Sequence, residues 1–159
     1  MTDVLIVGYG NPLRGDDGMG RETARRLALQ YAGDRRVKVL SRHQLTPELA
    51  DDIAAAGYVI FVDASEDLPP GLIARESLPT ETLSRNSTHQ GNPVSLVRLC
   101  LDLYGKCPPT SLIAVGGASF EVSQTLSPLA NRTIPQVISL ISEIVERKLL
   151  EESVPQQQR

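Results

Sequence analysis

Tryptophan is absent from this chain of 159 residues, and there are only two Phe and four Tyr. Any core it builds is therefore mostly aliphatic. Histidine occurs twice, at His43 and His89, so a zinc site made of several imidazoles cannot be assembled. Cysteine also occurs twice, as Cys100 and Cys107 on either side of Leu101–Lys106. That spacing is not a CxxC, and the pair reads as free thiols of a reducing compartment. No apolar stretch approaches the ~20 residues of a membrane span, and no charged-then-apolar leader precedes the first strand. The expectation is a soluble, cytoplasmic protein. An excess of positive charge is missing too: 16 Lys and Arg stand against 19 Asp and Glu, so nucleic acid is not an expected partner. There is no Gly-x-Ser-x-Gly elbow, which leaves Ser65, Ser87 and Ser119 without support as nucleophiles.

What is present suits a globular protein. Apolar residues make up 41% of the chain, and a fold this long buries roughly 70% of its unfolded surface. Val4–Val7 reads as a buried strand, Gly18–Tyr31 as an amphipathic helix, and Val37–Leu40 as a second strand. Pro47–Ala56 reads as a short helix with proline in its first turn. Tyr58–Val62, almost wholly apolar, reads as a central strand covered on both faces. Leu72–Glu76, of mixed polarity and close to Pro70, suits a sheet edge. Ser77–Gln90 reads as a long loop, and Pro93–Tyr104 as a helix with Val94, Val97, Leu101 and Tyr104 in phase. Ser111–Val115 reads as the last strand, Gly116–Leu126 as a second long loop, and Ile134–Leu150 as a helix opened by Pro135. Long loops are uncommon in compact domains and often functional. The alternation predicts an α/β fold with a doubly wound, parallel sheet. Residues 1–152 form one domain in this reading, and 153–159 a disordered polar tail.

The junction after the first strand is the most informative segment. Gly8-Tyr9-Gly10-Asn11-Pro12-Leu13-Arg14-Gly15-Asp16-Asp17-Gly18-Met19-Gly20 is a glycine-rich loop that runs into a helix beside two adjacent acids. A dinucleotide-binding loop would carry its third glycine where Leu13 stands, and it would leave the helix N-terminus free for a pyrophosphate. Here Asp16 and Asp17 occupy that end. They read either as helix caps or as groups that hold a cation or move a proton. Asp63 follows the central strand at the same sheet edge. It reads as a turn former or as a functional acid where doubly wound sheets bind ligands. His89 lies in the first long loop. One imidazole with two carboxylates suits a borderline divalent metal held loosely. His43, after the second strand, faces the same edge. Gly8, Gly10 and Asn11 shape the loop rather than react.

The loop, together with Val59-Ile60-Phe61-Val62-Asp63-Ala64, Ser87-Thr88-His89-Gln90 and Leu126-Ser127-Pro128, resembles the nickel-iron hydrogenase maturation proteases. The four stretches occur in order between Val4 and about Leu150. The resemblance implies a three-layer α/β/α sandwich around a five-stranded, mostly parallel sheet. It implies an endopeptidase that removes a C-terminal extension from the nickel-loaded precursor of a hydrogenase large subunit, acting as a monomer. The family's metal-contacting residues fall on Asp17, Asp63 and His89, with nickel carried by the substrate. Asp17 and Asp63 are also the candidate catalytic acids, in an aspartic-type or metal-assisted mechanism. Asp16 is then left to order the loop. The alternatives are a non-catalytic nickel-sensing chaperone of the precursor and a Rossmann-like cofactor enzyme.

Overall fold

The computed structural model describes residues 2–80 and 92–153. In chain order the elements are β1 (Thr2–Tyr9), a 3-10 turn (Gly15–Gly18), α1 (Met19–Gln30), β2 (Val37–Arg42), α2 (Leu49–Ala54) and β3 (Ala56–Ser65). They are followed by β4 (Ile73–Leu78), α3 (Pro93–Tyr104), β5 (Thr110–Gly116) and α4 (Pro128–Ser153). The five strands form one sheet in the order β2-β1-β3-β5-β4. β1 pairs in parallel with β2 and β3, and β3 in parallel with β5. β4 runs antiparallel to β5 at the edge, as its mixed polarity predicts.

Strand periodicity divides the apolar residues between two layers of helix. Val4 and Ile6 of β1, with Tyr58, Ile60 and Val62 of β3, meet Met19 and Leu27 of α1 and Ile134, Val137 and Ile141 of α4. The alternate positions, Leu5, Val7, Val59 and Phe61, meet Leu49 and Ile53 of α2 and Leu96 and Cys100 of α3. The result is the three-layer α/β/α sandwich. α1 lies unusually close to the sheet. A Cβ on Gly8 would overlap the Gly20 carbonyl, and one on Gly20 would press on the carbonyl oxygens of Tyr9 and Val62.

Several boundaries differ from the sequence reading. β3 does not stop at Val62, because β5 supplies partners further on, pairing Asp63 with Ala114 and Ser65 with Gly116. Asp63 is therefore inside a strand rather than after it. α4 starts at Pro128, with Pro135 in its interior. Ser127 sets that start by accepting the Ala130 amide on its hydroxyl at 3.1 Å, and proline at 128 suits a first turn, where no N–H is needed. α2 is shorter than Pro47–Ala56, since Ala56 already belongs to β3. The buried stripe of α3 is Pro93, Leu96, Val97 and Cys100, offset from the one expected. Tyr104 is exposed instead and donates its hydroxyl to Asp51 of α2. α3 is well delimited: the Asn92 side chain accepts the Ser95 amide at 2.7 Å, and Gly105 closes the helix at φ 72°, a left-handed cap.

Candidate active site

From β1 the chain turns one way to β2, then crosses back past β1 to β3. The crevice beyond the carboxyl ends of β1 and β3 is thus a topological switch point, where open α/β sheets bind ligands. Three side chains converge there. β1 ends on Tyr9, and Gly10 follows at φ 145° with its α-carbon against the Asp17 backbone, where any side chain would collide with the Asp17 carbonyl. Asn11 makes the next bend, its Oδ1 accepting the Leu13 amide at 2.9 Å. The Asn11 amide donates to Asp17 Oδ2 at 2.8 Å. Asp17 is fixed by this bond and by the 3-10 turn that carries it.

Neither acid caps α1, contrary to the plainer sequence reading: the cap position is Gly18, and no side chain bonds there. Asp16, only 1% exposed, points away from Asp17's partners. Its Oδ2 accepts the Ala118 amide at 2.8 Å and the Ser127 hydroxyl at 2.7 Å, and its Oδ1 accepts the Ser127 amide at 2.8 Å. Its own amide donates to the Ser119 carbonyl at 2.9 Å. Burial pushes this carboxyl's pKa up, but the bonds from Ser127, Ala118 and Ser119 outweigh it and hold it below the usual range. Asp16 therefore orders the long loop between β5 and α4 as well as its own. The two loops are also stitched by Gly15 donating to Ser123 and Ser123 donating to Leu13, each at 3.0 Å.

Asp63 reaches the crevice from β3. Gly8 pairs with Val62, so the next residues along, Tyr9 and Asp63, lie side by side on the face shared with Phe61. The Tyr9 ring stands edge-on to Phe61, centroids 6.4 Å apart and planes at 84°. Its hydroxyl faces Asp63 closely enough to favour the ionised carboxylate. The Asp63 carboxyl is pushed up to about 6, chiefly by burial and also by the negative charge of Asp17, against the lowering effect of the Tyr9 hydroxyl and the Ala64 amide. Burial and the same two acids drive the Tyr9 hydroxyl far above its ordinary value, so it keeps its proton. Among the described residues, no cation is among the groups acting on Asp63.

Asp17 and Asp63 are thus brought together. His89 and Ser87 lie outside the described residues. Within those described, no three His, Cys, Asp or Glu side chains gather as a metal site. His43 is exposed beyond β2. Ser65 accepts the Asp67 amide and Ser119 the Glu121 amide, both as turn formers. Cys100 and Cys107 are free thiols, and no described helix is long and apolar enough to cross a membrane. Tyr9 was not singled out in the sequence. Its signal was there, however: aligning the two apolar runs in parallel sets Tyr9 beside Asp63.

A three-layer α/β/α protein with paired acids at the switch point is the class that fold and site define. No protein-family model matches the chain. It is 28% identical over 148 residues to a Methanocaldococcus jannaschii protein provisionally named a hydrogenase maturation protease, covering 87% of this chain and 94% of that one. Among solved structures, a [NiFe] hydrogenase maturation protease, HycI, from Thermococcus kodakarensis is 27% identical with a TM-score of 0.73, covering 91% of this chain and 93% of that chain. The hydrogenase maturating endopeptidase HybD of Escherichia coli shares the fold at 22% identity and a TM-score of 0.69, over 99% of this chain and 100% of that one. Over most of its length the chain is thus similar to hydrogenase maturation proteases, in sequence and in fold.

Proposed function

We propose that this protein is the endopeptidase that trims the C-terminal extension from the large-subunit precursor of a nickel-iron hydrogenase once nickel has been inserted. The observation that carries the reading is the pair Asp17 and Asp63, held at one point of the crevice with no cation of the described residues among the groups acting on Asp63. Two close carboxylates repel each other, and a divalent ion relieves that repulsion. The donor set suits such an ion: among the described residues Asp17 takes the Asn11 amide on Oδ2 and its Oδ1 faces no other donor. In this reading nickel is part of the substrate. Asp17 and Asp63 contact it, with His89 as the nitrogen donor, and only a loaded precursor offers that contact. Asp63, with its carboxyl near neutrality, accepts a proton from the water that attacks the scissile carbonyl. The Tyr9 hydroxyl holds Asp63 in place. The two free thiols fit a reducing compartment, and we place the enzyme in the cytoplasm, acting as a monomer.

The chaperone reading predicts binding without cleavage. A dinucleotide enzyme finds no support in the geometry, since Asp17 takes the Asn11 amide that a phosphate loop would offer its ligand. The test is incubation with nickel-loaded and nickel-free precursor, followed by mass spectrometry. Loss of the C-terminal segment from the loaded form alone is expected. Equal cleavage of both, or of neither, overturns the proposal.

A further inference from the structure

Glu22, on the outer side of α1, serves two guanidiniums: Arg25 at 2.7 and 2.8 Å, and Arg26 at 3.0 Å. Arg21, one position before Glu22, is half-buried and has no ion pair among the described residues. Arg21, Glu22 and Arg25 line a cleft of about 820 Å³ together with Pro12, Gly18 and Leu126. Glu22 is thus taken up by Arg25 and Arg26, and no carboxylate among the described residues is paired with Arg21, on a chain whose net charge is −3. A half-buried charge without a partner is costly, and a guanidinium is shaped to take a carboxylate through paired N–H groups. The cavity is the size of sites that enclose a multi-atom ligand. A small anion would leave its apolar wall of Pro12 and Leu126 bare, whereas a stretch of polypeptide covers wall and charge together.

We infer that this cleft docks an acidic segment of the polypeptide substrate, with Arg21 receiving one of its carboxylates. The inference rests on the endopeptidase reading for the identity of that polypeptide. The link between the two sites is the turn Gly15–Gly18, which walls the cleft and carries Asp17 toward the crevice. A chain seated against Arg21 therefore lies beside the acids that act on it.

Two measurements test this. In the first, a fluorescein-labelled hexapeptide of alternating Glu and Leu, and its Lys-for-Glu counterpart, are titrated with the full-length protein by fluorescence anisotropy. In the second, kcat and KM are measured on nickel-loaded precursor. Arg21→Gln and Arg21→Glu are compared with Arg35→Glu, an equal charge change in the exposed turn before β2. Expected is preference for the acidic peptide, a roughly tenfold loss of affinity in Arg21→Gln and a larger one in Arg21→Glu, fading with added salt. KM should rise in parallel while kcat stays within about twofold, as for lost uniform binding, and Arg35→Glu should behave as wild type. Equal binding of both peptides, or wild-type affinity in Arg21→Glu, overturns the inference. If Arg21 governs peptide binding but no precursor is cleaved by the wild type, the endopeptidase reading falls and the cleft stands. Precursor cleaved by Arg21→Glu with wild-type KM sinks the cleft and leaves the reading intact.

Discussion

Asp63 is asked to do two things that conflict: to sit in a buried strand and to carry charge beside another acid. Its carboxyl is held up to about 6, against about 3.9 in an unfolded chain. Between those values the folded protein binds more protons than the unfolded one, so stability falls as pH rises from about 4 to 6 and stays lower above that. Asp63→Asn removes the conflict. It should raise stability at pH 7.5 by about 2 kcal/mol, some 4–8 °C in a protein of this size, while abolishing processing. A melting curve at pH 7.5 no higher than wild type would contradict this account. Tyr9→Phe acts in the other sense. It deletes the hydroxyl that favours the ionised carboxylate, so the Asp63 pKa should climb above about 6. Processing at pH 7 should drop roughly tenfold and recover at higher pH, because the acid limb of the rate profile moves up. A uniform loss at every pH would mean that Tyr9 serves packing against Phe61 and nothing more.

At the scale of elements, the loops are held by side chains rather than by regular pairing. Asp16 accepts three hydrogen bonds in a site almost sealed from water. Asp16→Ala strands the Ala118 amide and the Ser127 amide and hydroxyl, at a cost of about 3 kcal/mol. Amide exchange should quicken across the β5–α4 loop first. Asp17→Asn, which can still accept the Asn11 amide, should melt within about 0.5 kcal/mol of wild type yet fail to process. Similar melting points for Asp16→Ala and wild type would remove the tether. Helix α1 gives a further check: Gly20→Ala should destabilise by more than about 3 kcal/mol, since the new methyl meets backbone carbonyls of β1 and β3 that have no room to yield. Much of this was legible in the sequence, and the failures share a cause. Val4–Val7 and Tyr58–Val62 announced themselves as strands because both faces are apolar, and Gly8 marked a close approach. Strand ends did not show, because Tyr9, Asp63 and Ser65 are polar residues kept in register by a neighbouring strand. Pro135 reads as a helix opener, but the start of α4 is written in Ser127 and Pro128. That Asp16 would bond to residues more than a hundred positions away is a tertiary fact with no local trace.

For the molecule as a whole, the chemistry lies at one end of the sheet. The β1–β2 and β2–β3 crossovers, which leave β1 parallel to β3, put Tyr9, Asp17 and Asp63 at the same end by topology alone, so an acid placed after either apolar run was bound to arrive there. The site combines a half-buried acid pair with a fold that tolerates the strain elsewhere: Glu22, held at about 2 chiefly by its bond to Arg25, contributes stability that is present above its unfolded pKa and lost only as pH falls below about 4. Relief of the acid pair by a divalent ion should therefore appear as stabilisation of the free protein. At ten times its dissociation constant a ligand adds about 1.4 kcal/mol, or roughly 3–5 °C here. Nickel should raise the melting temperature of the wild type by that amount at pH 7.5. It should release protons as it binds near pH 6, where Asp63 is part-protonated, and lose affinity below that pH. Asp63→Asn should show neither the nickel shift nor the proton release, although its own melting point starts higher. A nickel shift that survives intact in Asp63→Asn would place the ion elsewhere on the protein, and the paired acids would then have to be read as proton-transfer groups alone.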